Sequence, residues 1–230
     1  AWGLMYKGEK EQAITELYVI ESETPEDCTI LLSLGQAYLE MKQFDRSIQY
    51  LNRALEKTDD NSTKGLVYAT MIDAYMAMDQ KDKVTETWKQ AISVDDSFRQ
   101  MLPMLYEFYL KHGDLQKATE LVVEDKDPLR RGFYSGLIDY QTGDKESAER
   151  QWNRVVRREV DEETEGFEFW MECGLRLGQV QRVIEKSVPI LADGATTLES
   201  VVLFGIAVAM TGDIPRSDSF FQVVRDNIAW

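Results

Sequence analysis

The residues able to do chemistry are few. The 230-residue chain has one histidine, His112, two cysteines, Cys28 and Cys173, and 41 acidic residues against 26 basic ones. With a single imidazole, a histidine-rich metal site is excluded and any Ser/His/Asp relay would have to run through His112. His112 stands directly before Gly113, where an imidazole is expected to cap the last carbonyls of a helix. The cysteines lie far apart, in or near apolar helical patterns. They read as buried free thiols, which fits a cytoplasmic setting better than a periplasmic one. No cysteine pair has metal-ligand spacing, and there is no Walker loop or G-x-G-x-x-G. "GFYSG" (132–136) has one residue too many between Gly132 and Ser135 for a nucleophile elbow. "NST" (61–63) is a formal glycosylation acceptor with nothing in the sequence to support its use. No catalytic residue, metal or cofactor is expected, and the chain does not read as an enzyme.

Carboxylates are the exception. "EVDEETEGFE" (159–168) is densely acidic, and the spacing of Glu165, Glu168 and Glu172 by three and four residues places them on one helix face. Such a face suits a basic segment, although an acidic run of this type is more often a solvated loop. The net charge of −15 argues against nucleic acid, whose binding depends on Lys and Arg neutralising phosphates, and leaves basic or neutral partners. The longest apolar run, "VVLFGIAVAM" (201–210), is about half of a membrane span.

The elements that must position these residues follow from an internal period. In "LLSLGQAYLEMKQFDRSIQYLNRAL" (31–55), large apolar side chains recur at helical spacing around a turn at Lys42, with the small residues Gly35, Ser47 and Ala54 among them. Similar turns recur at Gly8, Asp79, Gly113, Gly143, Gly178 and Gly212, and the successive spacings are 34, 37, 34, 30, 35 and 34. Each unit reads as two helices around one turn, closed by a left-handed residue for which glycine is cheapest. Five residues past each turn stands a small or β-branched residue: Ala13, Ser47, Val84, Ala118, Ala148, Val183 or Ser217. Four further on it is usually large, as at Leu17, Leu51, Trp88 and Trp152, with Ser187 the exception. Helices joined by so short a turn lie antiparallel, and small residues let their axes approach while large ones fill the grooves. Gly136 and Gly205 keep the small slot that Gly35 occupies on the first helix. Ile72, Tyr106 and Met171 do not, so their pairs are expected to sit further apart.

These residues resemble the tetratricopeptide repeat (TPR), whose pattern is W-x2-L-G-x2-Y, then A-x3-F, then P. The best unit reads Leu31-x2-Leu34-Gly35-x2-Tyr38 and then Ser47-x3-Leu51, while proline holds the late position only once, at Pro25. The resemblance covers six repeats and a leading fragment. It implies an all-α, right-handed superhelical solenoid of antiparallel helix pairs, and a protein–protein interaction module: a scaffold or adaptor holding a partner peptide or protein surface in a concave groove. The alternative is a regulatory or assembly region of a larger enzyme or of a secretion or envelope complex. One TPR subtype clamps a chaperone's terminal carboxylate with cationic side chains. The matching slots here hold Leu32, Gln36, Thr70, Gln100 and Met104, so that activity is not expected.

Helical phase assigns the groove lining to the first helix of each pair. It takes Met5, Leu32, Gln36 and Leu39, then Asp73 and Met76, then Glu107. Further along it takes Arg130, Phe133 and Tyr140, then Glu165, Glu168 and Glu172.

Two irregularities interrupt the pattern. The short spacing from Gly113 to Gly143 lacks about one helical turn, and Pro128 cannot continue a helix from behind. Shortened helices and a junction near 125–128 are therefore expected, dividing the chain into 1–126 and 127–230. The ends look uncapped. "AWGLMY", with Trp2, enters in the second half of a first helix. "SFFQVVRDNIAW" carries Phe220, Phe221, Val223, Val224, Ile228 and Trp230, too many for one buried stripe. This reads as part of a longer array, or as self-association through the terminal helices.

Overall fold

The computed structural model describes residues 3–4, 7–161, 163–192, 197–218 and 221–222. Trp2, Met5, Phe220, Val223, Val224, Ile228 and Trp230 lie outside the described residues. Among those described there are twelve α-helices, one 3-10 helix and no strand. They form two compact units, residues 1–102 and 103–230. The first holds α1 (Lys10–Glu23), α2 (Cys28–Glu40), α3 (Phe44–Glu56), α4 (Asn61–Ala77), α5 (Lys81–Val94) and the 3-10 helix Asp96–Met101. The second begins with α6 (Leu102–Lys111), whose first residue is the last of the first unit. It continues with α7 (Leu115–Glu124), α8 (Pro128–Gln141), α9 (Lys145–Val156), α10 (Phe167–Arg176), α11 (Val180–Ala192) and α12 (Leu198–Met210). The segment 125–128 lies inside this second unit.

All seven turn residues read from the period have positive φ: Gly8, Lys42, Asp79, Gly113, Gly143, Gly178 and Gly212. The backbone bonds are those of a Schellman motif. At Lys42 its own N–H donates to the Leu39 carbonyl at 2.8 Å and that of Gln43 to the Tyr38 carbonyl at 2.9 Å, and the same two bonds recur at Asp79, Gly113, Gly143 and Gly178. The residue after the turn then opens the second helix. Where it is aspartate, its carboxylate accepts from the third N–H on, as Asp114 does from Lys117, Asp144 from Ser147 and Asp213 from Arg216. One residue thus ends the first helix and the next starts the second.

The small slots hold the paired helices together. A Cβ on Gly35 would fall 2.7 Å from Leu51, and one on Gly136 would collide with the Trp152 indole. Ser47 Oγ donates to the Gly35 carbonyl at 2.7 Å and Ser217 Oγ to the Gly205 carbonyl at 3.2 Å, the same bond in two distant repeats. The glycine-bearing pairs α2/α3 and α8/α9 are the most closely apposed. The pairs carrying Ile72 and Met171 make less contact, although Gly174 brings α10 within reach of Val183 on α11. Trp88 and Trp152, at the large slot, are buried, and their indole N–H groups donate to the Phe98 and Phe133 carbonyls. Ser187 at the same slot is buried with its hydroxyl unpaired among the described residues. Between repeats, Leu31, Leu32, Leu51, Ala54, Val67 and Met71 form one continuous core cluster.

Because L-residues occupy the left-handed region only at a cost of roughly 1–2 kcal/mol, Lys42→Gly and Asp79→Gly should each raise stability by about 0.5–1 kcal/mol, measured by urea unfolding. Gly136→Val should lower it by about 1–3 kcal/mol through overpacking against Trp152.

Candidate functional site

In both units the first helices of successive repeats pack side by side, α2 with α4 in the first and α8 with α10 and α10 with α12 in the second. The expected lining residues fall into two groups there, some at accessible positions and some covered. On the first unit Gln36, Leu39 and Met76 are half-buried and Asp73 is exposed, with desolvation raising its carboxyl above the ordinary aspartate value. Leu32 is buried in the inter-repeat core instead, against Val67 and Met71. Its position is the seam between neighbouring first helices, so a large apolar side chain there is covered by the next repeat. An open cleft of about 450 Å³ lies where α4 meets the 3-10 helix, lined by Gly65, Leu66, Ala69, Phe98 and Met101 with Asn61, Ser62, Asp95, Ser97 and Gln100 around them.

The second unit carries most of the charged residues assigned to the lining. Glu107 on α6 and Tyr140 on α8 are exposed, and the Lys145 ammonium sits 5.8 Å from the Tyr140 ring centre. Phe133 is buried for the same reason as Leu32: its ring packs 5.5 Å from Phe169 on the next first helix. Glu165 is not on the helix face shared by the other two glutamates. Gly166, left-handed at φ 73°, is the N-cap residue of α10, so Glu165 precedes the helix while Glu168 and Glu172 lie one turn apart on it. Glu172 pairs with Arg176 at 3.3 Å, and the Arg176 guanidinium lies over the Phe133 and Trp152 rings. Glu168 makes no ion pair among the described residues. Desolvation, with Glu199 and Asp127 adding repulsion, raises its carboxyl above the ordinary glutamate value. Tyr134 between the helices is pushed up by burial, and Glu107 and Glu172 add to that.

Arg130 is turned inward. It binds Asp125 through two bonds of 2.8 Å, Nε to Oδ2 and Nη2 to Oδ1, and its side chain is only 13% exposed. Asp125 is buried in the slot that Ala54 and Ala91 fill in earlier repeats. Its carboxylate also accepts from the Tyr106 hydroxyl at 3.2 Å and the Asp127 N–H at 3.0 Å. Asp127 caps α8 by accepting from the N–H groups of Leu129 and Arg130, and Pro128 is the first residue of that helix, where its missing N–H has no consequence. The guanidinium expected on the surface therefore holds the irregular corner together.

The remaining chemistry is sparse. His112 Nδ1 donates to the Phe108 carbonyl at 2.7 Å, a helix-capping contact. Cys28 and Cys173 are both free, and burial pushes the Cys173 thiol well up. Among the described residues no group of three His, Cys, Asp or Glu could hold a metal ion, and no helix is long and apolar enough to cross a membrane. The row of first helices continues onto α12, beyond the residues that phase assigned. At the positions where α10 presents Glu168 and Glu172, α12 presents Val202 and Ile206, which the same register counted back from Gly212 identifies.

No protein-family model and no curated protein sequence matches the chain. Solved structures do. A tetratricopeptide repeat protein from Parabacteroides merdae superimposes with a TM-score of 0.55 at 13% identity, over 100% of this chain and 90% of that one. The C-terminal part of a TPR repeat-containing protein from Cytophaga hutchinsonii gives 0.51 at 14% identity, over 98% and 91%. MamA gives 0.52 at 19% identity, over 67% and 91%. The chain has the tetratricopeptide-repeat fold, an all-α helical repeat.

Asp125→Ala leaves Arg130 buried without its partner and should cost about 3–5 kcal/mol, whereas the double change Asp125→Leu with Arg130→Met should recover most of that loss; chemical unfolding of both variants checks this. The raised Glu168 carboxyl means that the folded state holds this proton more tightly than the unfolded one. Its contribution is fully present below the ordinary glutamate range and is lost as pH rises through the folded value. Glu168→Gln should therefore raise the melting temperature at neutral pH and leave it unchanged near about pH 4, read in a pH series of thermal melts.

Proposed function

We propose that the chain is a scaffold or adaptor that holds a segment of a protein partner on the first-helix faces of its repeats, and that it is not an enzyme. The fold supports this reading, because within each unit stacked helix pairs leave the first helices of successive repeats side by side with one face outward. The partner segment carries basic residues. The observation behind this is Glu168, a half-buried carboxylate on α10 with no ion pair among the described residues, whose carboxyl desolvation raises while Arg130 offsets the repulsion of Glu199 and Asp127. Glu107, exposed on α6, adds a further carboxylate to the same unit, while Glu172 is paired with Arg176. A net charge of −15 favours encounter with basic proteins and disfavours a phosphate backbone.

The test is binding of lysine- and arginine-containing peptides, against neutral peptides of equal length, to the chain and to a variant with Glu165, Glu168 and Glu172 all changed to Gln. The basic peptides should bind the native chain, and the variant should lose at least tenfold in affinity for them and little for neutral ones. Equal losses for both sets would mean that the carboxylates do not recognise basic residues. Glu165 stands outside the helix, so its single change should account for the smallest share.

A further inference from the structure

We infer that the exposed face of α12 together with Glu168 of α10 is a docking surface for an amphipathic helix of a protein partner, apolar on one side and carrying lysine or arginine along its edge. This inference rests on the interaction reading above and names the chemistry of one part of that surface.

Three observations carry it. First, α12 is apolar on its outward side as well as its inward side. At about 100° per residue, Ser200, Leu203, Phe204, Ala207 and Val208 fall on one side and are buried. Leu198, Val202, Ile206 and Met210 fall on the other. Leu198 is 50% exposed, Ile206 40% and Met210 53%, and Val202 is half-buried. Four apolar side chains at intervals of four along a thirteen-residue helix make a stripe whose length and pitch match a second helix laid alongside.

Second, the stripe has a charged border of one sign. Glu199 lies on the same side of α12 as Ile206, one heptad before it, and is exposed. Glu168 lies on α10, which packs against α12, at the register position that Val202 holds on α12. Neither forms an ion pair among the described residues. A cation brought to this border would meet two carboxylates on adjacent helices, so charge complementarity selects a basic edge over an acidic one.

Third, although Leu32, Ala69, Pro103 and Phe133 match Val202 in being apolar, Ile206 differs from most of the matching positions of the other first helices. Those positions hold Gln36, Asp73, Glu107, Leu137 and Glu172 where α12 holds Ile206. Four of these five residues are polar or charged, whereas α12 places an exposed isoleucine there. Packing on α10 and α11 accounts for the buried side of α12 but not for its apolar exposed side.

The experiment uses the full chain and two fluorescein-labelled peptides. Both are patterned as amphipathic helices with leucines on one side, one with lysines on the other and one with glutamates. The leucine/lysine peptide should bind, and the leucine/glutamate peptide should bind at least tenfold more weakly. Ile206→Asp and Met210→Asp, both at exposed positions, should each cost at least tenfold in affinity with the circular dichroism spectrum unchanged. Glu168→Gln combined with Glu199→Gln should narrow the gap between the two peptides. Equal binding of both peptides, or full binding by Ile206→Asp, would overturn the inference. So would a concentration-dependent dimer in sedimentation that Ile206→Asp dissolves, which would make a second copy the occupant. Binding to phosphatidylcholine vesicles in preference to the lysine peptide would make it a lipid surface. If Tyr140→Ala with Glu107→Gln abolishes peptide binding while the α12 variants do not, this inference fails and the interaction reading stands. If neither set of changes matters, both fail.

Discussion

The helix pairs depend on one left-handed residue per repeat. A helix that ends at C′ in the αL conformation returns its next two N–H groups to its own carbonyls, and the chain leaves in a fixed direction. Since the following residue already starts the second helix, no loop length remains to vary. The residue seven before the turn and the residue five after it must then face each other. That is why Ser47 finds the Gly35 carbonyl and Ser217 finds that of Gly205. Lys42 and Asp79 show how strong the constraint is. Both hold positive φ although neither is glycine, because the packing on either side fixes the turn more firmly than their own backbone preference opposes it.

With the register fixed, side-chain volume sets how close the helices come, and the corner at Asp125 shows what happens when repeat length also changes. The 30-residue spacing leaves only Asp125 to Asp127 between α7 and α8. A buried carboxylate in a slot suited to alanine would be costly alone, but here it is nearly saturated: two bonds from Arg130, one from Tyr106 and one from the Asp127 N–H. Such a pair adds little net stability over an apolar equivalent. Its effect is directional. It ties the start of α8 to the end of α7 through a bidentate geometry that tolerates few orientations, while Asp127 and Pro128 set the helix start itself.

The repeat register and the turn conformations were legible in the sequence because they depend on local chemistry with a fixed period. The surface was legible only in part. Of the residues that phase assigned to the lining, Gln36, Asp73, Glu107 and Tyr140 are exposed or half-buried. Phase fails for Leu32 and Phe133, because it gives direction relative to a residue's own helix and not the size of the neighbour that covers it. Glu165 was misplaced because Gly166 is a second kind of left-handed residue, one that starts a helix rather than ending it. Arg130 looked like a surface cation because nothing local shows that Asp125, five residues before it, is buried.

The scaffold and the outward row therefore obey different rules. Gly35, Ser47, Trp152 and the turn residues are fixed by contacts within a pair, and changing any of them alters the helix spacing. The outward positions answer to no such contact, which is why one register holds glutamine, aspartate, glutamate, leucine and isoleucine in different repeats. Intramolecular stability does not favour a desolvated Glu168 beside Glu199 and Asp127, or an exposed Ile206 on α12. Both features raise the free energy of the isolated chain relative to a glutamine and a lysine at the same places. The docking surface proposed above would offset both costs at once, because a cation would meet the carboxylates and an apolar surface would cover the stripe.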